Sequence, residues 1–157
     1  MTERSAAERS AADGLEPVRK KVVVPASPEV AFTRFTAELD QWWPLRTHSV
    51  HGAAAASAEF GGGVGDPIVE RSAAGEESVW GTVTEWDPPR RVAFTWHPGR
   101  PEGTAQEVTV TFVSTGDATE VTLVHGGWES LGAGAEAKRR EYEEGWELVL
   151  GSYRDAV

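Results

Sequence analysis

The chain has 157 residues, enough for one domain with a short tail, and a chain of this length buries roughly 70% of the surface it exposes when unfolded. Its formal net charge of −10 repels phosphate backbones and anionic membranes. The basic runs Arg19-Lys20-Lys21 and Lys138-Arg139-Arg140 are too short to reverse that field. With no cysteine, the sequence excludes disulfides, thiolate metal sites and cysteine nucleophiles. No apolar run reaches membrane-helix length, and Met1 to Ala7 lacks the apolar stretch of a signal peptide, so a cytoplasmic setting is expected.

Residues 1–16 are small, polar and charged, and read as a mobile tail ahead of a single domain over 17–157. Val18 to Val24 is a β-rich run closed by Pro25. Ser27-Pro28-Glu29 then has the chemistry of a helix start: a capping hydroxyl, a proline in the first turn and an acid at the positive end of the dipole. Ala31, Phe32, Phe35 and Leu39 give that helix an apolar stripe, and Pro44 stops anything further. Residues 42–58 are irregular. The glycines between Phe60 and Ile68 mark a turn joining two strands, and lack the Lys-Ser/Thr of a phosphate loop.

Strands follow over Ser78–Trp86, Arg91–His97, Gln106–Ser114 and Thr119–His125. Their residues alternate. Val92, Phe94 and Trp96 share one face, as do Val108, Val110 and Phe112, and Val121, Leu123 and His125. One face is apolar and one is wet, as in an antiparallel sheet covered on one side. From about Ala135 to Arg154 the period changes. Tyr142, Trp146, Val149 and Tyr153 recur at spacings of four, three and four, with Leu148 and Leu150 expected to widen the stripe. The fold class is α+β: a curved antiparallel sheet of six to seven strands around one long C-terminal helix, with one or two short helices after the first strand. A wide sheet and a single helix meet imperfectly, which leaves room for a cavity.

The order of these pieces resembles the START-like (SRPBCC) superfamily with its helix-grip fold. Within it, the chain is similar to the activator of heat-shock protein 90 ATPase homologue family in its small bacterial form. The residues carrying the resemblance are Val22 to Phe32, Trp42-Trp43-Pro44, Phe60-Gly61-Gly62, Gly81 to Val92, Phe94-Thr95-Trp96, Thr119 to Leu123, His125-Gly126-Gly127-Trp128 and Gly145-Trp146. It spans about residues 18–156. The resemblance implies a hydrophobic pocket but fixes no activity, since lipid carriers, cyclases, aromatases and co-chaperone domains share the fold. It carries no catalytic triad, metal motif or cofactor motif.

Seven tryptophans and five phenylalanines are costly to leave in water, and each indole N–H needs a partner if buried. Trp43, Trp80, Phe94, Trp96, Phe112, Leu123, His125, Tyr142, Trp146 and Val149 are the candidate ligand-binding residues, each with ordinary core packing as its plainer explanation. Arg46, His48, Tyr142 and His125 are candidates for orienting a polar end of a ligand. His48 and His51 lie three apart in the irregular loop, too few for a metal site without a third ligand, and are read as loop residues at the pocket mouth. His125, alone on an apolar face, reads as a structural histidine. His97 before Pro98-Gly99, and Asp87 before Pro88-Pro89, read as turn residues.

The expected function is binding of a small hydrophobic or aromatic molecule, by a monomer or homodimer, without a cofactor. Two alternatives stay open. A cyclase- or aromatase-like enzyme requires His125 or Tyr142 in the pocket, coupled to a carboxylate or arginine, and no such pair stands at short spacing. A co-chaperone-like module that stimulates a heat-shock ATPase requires an exposed apolar patch.

Overall fold

The computed structural model describes residues 15–157. Of the expected tail, residues 1–14 therefore lie outside the described residues, whereas the carbonyls of Glu16 and Pro17 accept hydrogen bonds from Arg139. Seven strands form one antiparallel sheet: β1 (Val18–Val24), β2 (Ala55–Phe60), β3 (Pro67–Ser72), β4 (Glu77–Asp87), β5 (Arg91–Trp96), β6 (Gln106–Ser114) and β7 (Thr119–Gly126). Their spatial order is β1-β7-β6-β5-β4-β3-β2. Helix α1 (Pro28–Phe35) follows β1, and helix α2 (Ala135–Ala156) closes the chain. The sheet curls around α2 in the helix-grip arrangement.

Local chemistry explains the elements. Ser27 caps α1 by accepting the Val30 N–H at 3.3 Å, and Pro28 opens the helix. Phe32 and Phe35 then face inward and meet Phe112 edge-on, at ring-centroid distances of 5.2 and 6.0 Å. Across the sheet, Val92 stands opposite Val110 and Val110 opposite Leu123, so the alternating residues of three strands build one apolar floor. Onto it α2 lays Trp146, Val149, Leu150 and Tyr153, all buried. Leu148, expected in that stripe, is 52% exposed and faces solvent, because it lies off the buried face of the helix. At the far end, the Tyr153 hydroxyl donates to the Ala31 carbonyl at 2.7 Å and ties α2 to α1.

Strand β4 departs from simple alternation. Register shifts fall opposite Ile68/Val69 and at Val83/Glu85. Each extra residue turns the following side chain to the other face. Trp80 and Val83 are buried, and Trp86 reaches Phe32 at 5.1 Å, so a spacing of three faces inward. Glu85 consequently sits away from the core and pairs with Arg91 at 2.9 Å. Gly81 is required there, because a Cβ would come within 1.7 Å of the Thr95 carbonyl oxygen.

Candidate functional site

The space between sheet and α2 divides in two. Its inner part is filled. Trp80 packs against Trp43 and Trp96 at 5.0 and 5.6 Å, and Trp96 against Trp146 at 5.4 Å. The void left among them is about 10 Å³. The outer part is an open cleft of about 400 Å³. Trp43, Trp96, Trp146, Tyr142 and Val149 give it an aromatic and aliphatic wall. Residues 47–50 close one side, and Pro98-Gly99 after β5 close the end. Of two broader surface grooves, one is lined largely by charged residues, with Arg139 paired to Glu143, and the other mixes the Arg90–Asp87 pair with prolines and Phe112.

Residues 42–52 are irregular, yet they are tied down. Trp43 Nε1 donates to the His48 carbonyl at 2.7 Å, and the His48 N–H donates to the Pro44 carbonyl at 2.9 Å. The strongest tie is Glu70, a fully buried carboxylate on β3. It accepts the backbone N–H groups of Val50 and His51 at 2.8 and 2.7 Å, and the Trp80 indole N–H at 2.8 Å. Three donors satisfy a charge that would otherwise be costly to bury. Glu70 thus acts as a strut between the strand and the loop.

Behind the cleft lies a second polar network. Trp146 Nε1 donates to His125 Nδ1 at 2.8 Å, and His125 Nε2 lies 3.3 Å from Gln106 Oε1. One ring nitrogen accepts and the other donates, which requires neutral imidazole. Burial first, and the Arg100 charge second, hold its pKa down at about 3. Arg100 also donates to Gln106 Oε1 at 3.1 Å and reaches the Tyr142 hydroxyl at 3.4 Å. Burial likewise raises Tyr153 well above the ordinary tyrosine range.

The structure sorts the sequence candidates into three groups. Trp43, Trp96, Tyr142, Trp146 and Val149 line the cleft. Trp80 and Phe94 line only the small inner void. Phe112, Leu123 and His125 sit on neither wall: Phe112 packs under α1, Leu123 lies in the sheet floor, and His125 is sealed between Trp128 and Tyr142. His125 is a structural histidine, as its plainer reading holds. Of the polar candidates, His48 and Tyr142 reach the cleft, whereas Arg46 is exposed to solvent and, like His51, is not on its wall.

Thr47, Ser49, Val50, Pro98, Gly99 and Gly145 were not singled out by sequence reasoning, nor was the Glu70 strut. None carries a chemical motif: Gly145 enters only with Trp146 in the family resemblance, Pro98-Gly99 only as a turn, and Glu70 only as an acid in a strand. Two of the indoles that need a partner when buried, Trp80 and Trp96, differ. Trp80 finds Glu70, while the buried Nε1 of Trp96 has no partner among the described residues. Among those residues, no three His, Asp or Glu side chains cluster as metal ligands, and no helix is long and apolar enough to cross a membrane.

A curled seven-stranded sheet gripping a C-terminal helix, with a cleft at one end, defines a START-like helix-grip domain. The chain belongs to the family described as activator of Hsp90 ATPase homolog 1-like protein, which it matches over residues 25–155. Among solved structures it is similar to Txn09, an anthrahydroquino-γ-pyrone synthase complexed with SUM. That likeness has 30% identity and a TM-score of 0.62, over 91% of this chain and 97% of that one. The Aha1 dimer from Colwellia psychrerythraea shares the fold at 20% identity and a TM-score of 0.64, over 90% of this chain and 96% of that one. Protein BH1534 of Bacillus halodurans shares it at 22% identity and a TM-score of 0.64, over the same 90% and 96%. No curated protein matches significantly.

Proposed function

We propose that this protein binds a small aromatic molecule in the cleft between residues 47–50, Pro98-Gly99 and α2. The observation that carries this reading is the cleft itself: about 400 Å³, walled by three indoles and a phenol, with few polar groups. Its volume suits a ring system of two or three fused rings. Flat π faces favour offset or edge-on contact with another ring, worth about 0.5–1.5 kcal/mol per pair beyond the buried area. His48 and Tyr142 line the cleft beside Thr47 and Ser49, and in this reading they orient the polar end of the guest. Similarity to a synthase of a fused aromatic product supports the same ligand class.

Tryptophan fluorescence tests this directly. Titration with 1-hydroxyanthraquinone and with 2-tetralone is expected to quench or shift the emission saturably. Gly145→Leu, which places a side chain across the cleft, is expected to abolish the response without lowering the melting temperature. A flat response from the wild-type protein to both compounds would sink the reading.

A further inference from the structure

Resting on that reading, we infer that Trp96 selects the guest: its indole N–H donates to a ring carbonyl oxygen, so the cleft takes fused aromatic ketones and quinones over their oxygen-free analogues. Trp96 is 4% exposed, and its Nε1 is buried without a hydrogen-bond partner among the described residues. A buried tryptophan N–H normally has one. The ring also contributes to two walls, that of the cleft and that of the inner void.

Its neighbours show that the missing partner is particular to this residue. Trp146, Trp80 and Trp43 pack around Trp96, with ring centroids at 5.4, 5.6 and 5.9 Å. Each of them is paired: Trp43 donates to the His48 carbonyl, Trp80 to Glu70 and Trp146 to His125 Nδ1. Those bonds fix the angles of their rings, whereas the Trp96 ring is held by packing alone. A guest pressed against the shared wall therefore turns Trp96 before it turns Trp43 or Trp146. The void behind, about 10 Å³, allows a tilt but admits no ring. The guest stays in the outer cleft, and what reaches Nε1 is a single atom at its edge.

The surroundings decide what that atom is. An indole N–H only donates. The rest of the void is lined by Phe35, Leu39, Phe60, Ile68 and Phe94, and by indoles whose N–H groups are already committed, so no side chain there offers an acceptor. A water placed among them would find a donor and no side-chain acceptor, short of the roughly two to four partners a buried water takes. A guest hydroxyl turned this way would leave its own hydrogen unmatched. A carbonyl oxygen accepts and brings no donor, and it fits.

Such a donor gives selection more than affinity. An ordinary site donor is bonded to water before the guest arrives, so its bond to the guest is an exchange. Sealed from solvent, Trp96 Nε1 gives up no such bond. The oxygen-free analogue leaves it as it was, and the ketone relieves it.

The test compares 9-fluorenone with fluorene, two flat three-ring compounds that differ by the carbonyl oxygen. Equilibrium dialysis gives their dissociation constants on the wild-type protein, on Trp96→Phe and on Trp80→Phe. The wild-type preference for fluorenone should exceed that of Trp96→Phe by about 10-fold or more. Comparing ratios cancels the different hydrophobicities of the two compounds. Trp80→Phe deletes an indole N–H beside the same void, but one already paired, and should keep the wild-type ratio. A second readout needs no variant. With the indole nitrogens isotope-labelled, the Trp96 indole proton, assigned through its NOEs to the Phe94 ring, should move further downfield with fluorenone than with fluorene. Equal ratios in the wild type and Trp96→Phe overturn the inference, as does a ratio lost equally in Trp80→Phe. So does an indole proton that responds alike to both compounds, or a failure of fluorenone to bind. None of these touches the binding reading, which the titrations with 1-hydroxyanthraquinone and 2-tetralone decide.

Discussion

The two halves of the space under α2 have similar walls and opposite outcomes. Trp43, Trp96 and Trp146 face both the inner void of about 10 Å³ and the outer cleft of about 400 Å³. Tryptophan content therefore does not decide which half is open; what stands across from the indoles does. Inside, Phe35, Leu39, Phe60, Ile68 and Phe94 interdigitate with them. Outside, Pro98, Gly99 and Gly145 bring little bulk, and Glu70 holds residues 50–51 at a fixed distance. A cavity here is the product of missing side chains and one strut.

Acidification is expected to have the largest effect, and it acts through the sealed network behind both halves rather than through either wall. Burial depresses His125 to about 3 from an ordinary 6.5, so the unfolded chain takes the proton first. The stabilisation is fully present above about pH 6.5 and is lost as pH falls toward about 3. Well below pH 6.5, the loss is about 1.4 kcal/mol per pH unit. Urea midpoints at pH 7, 5 and 4 measure it, and His125→Gln should remove that part of the slope; an unchanged slope would assign it to other groups.

Next in size is the strut. Glu70→Ala leaves two backbone N–H groups and the Trp80 indole without their acceptor. A loss of about 3 kcal/mol in urea unfolding is expected, together with weaker ligand binding as the loop loosens. A loss below about 1 kcal/mol would show that the loop stands without it.

The two indoles sharpen the comparison further. Both Trp80→Phe and Trp96→Phe delete buried atoms, but only the first removes a donor that has an acceptor. Trp80→Phe should therefore cost about 1–2 kcal/mol more than Trp96→Phe. Equal costs would mean that Trp96 Nε1 has a partner in solution.

The smallest effect is expected at Gly145. A helix-interior glycine is worth about 0.5–1 kcal/mol less than alanine, and a Cβ there meets only His48, at an ordinary 3.9 Å. Gly145→Ala should raise the unfolding free energy by about that amount while slightly narrowing the cleft. A destabilised variant would mean that the His48 ring cannot give way.

The architecture was largely legible in the sequence. The bounds of β1, the Ser27 cap and the spacing of Tyr142, Trp146, Val149 and Tyr153 all follow from local chemistry and periodicity. The bulges of β4 were not legible, because their register is set by neighbouring strands: strict alternation along the strand would put Glu85 on the face of Val83, and the shift at Val83/Glu85 turns it away. The site was half legible. Large aromatic residues announce themselves, but whether they fill a space or line one depends on small residues opposite, which carry no pattern. Glu70 looked like any acid in a strand, and Arg100 meets Tyr142 only because the β5–β6 loop folds back against α2.

The strut has one more consequence. Glu70 grips residues 50–51 by their backbone N–H groups and takes no notice of their side chains. Position and identity are thereby uncoupled along that stretch of loop. On the proposed reading, a substitution at Val50 changes the shape the cleft offers a guest while the chain keeps its station, so the edge of the site can be recut without rebuilding its scaffold.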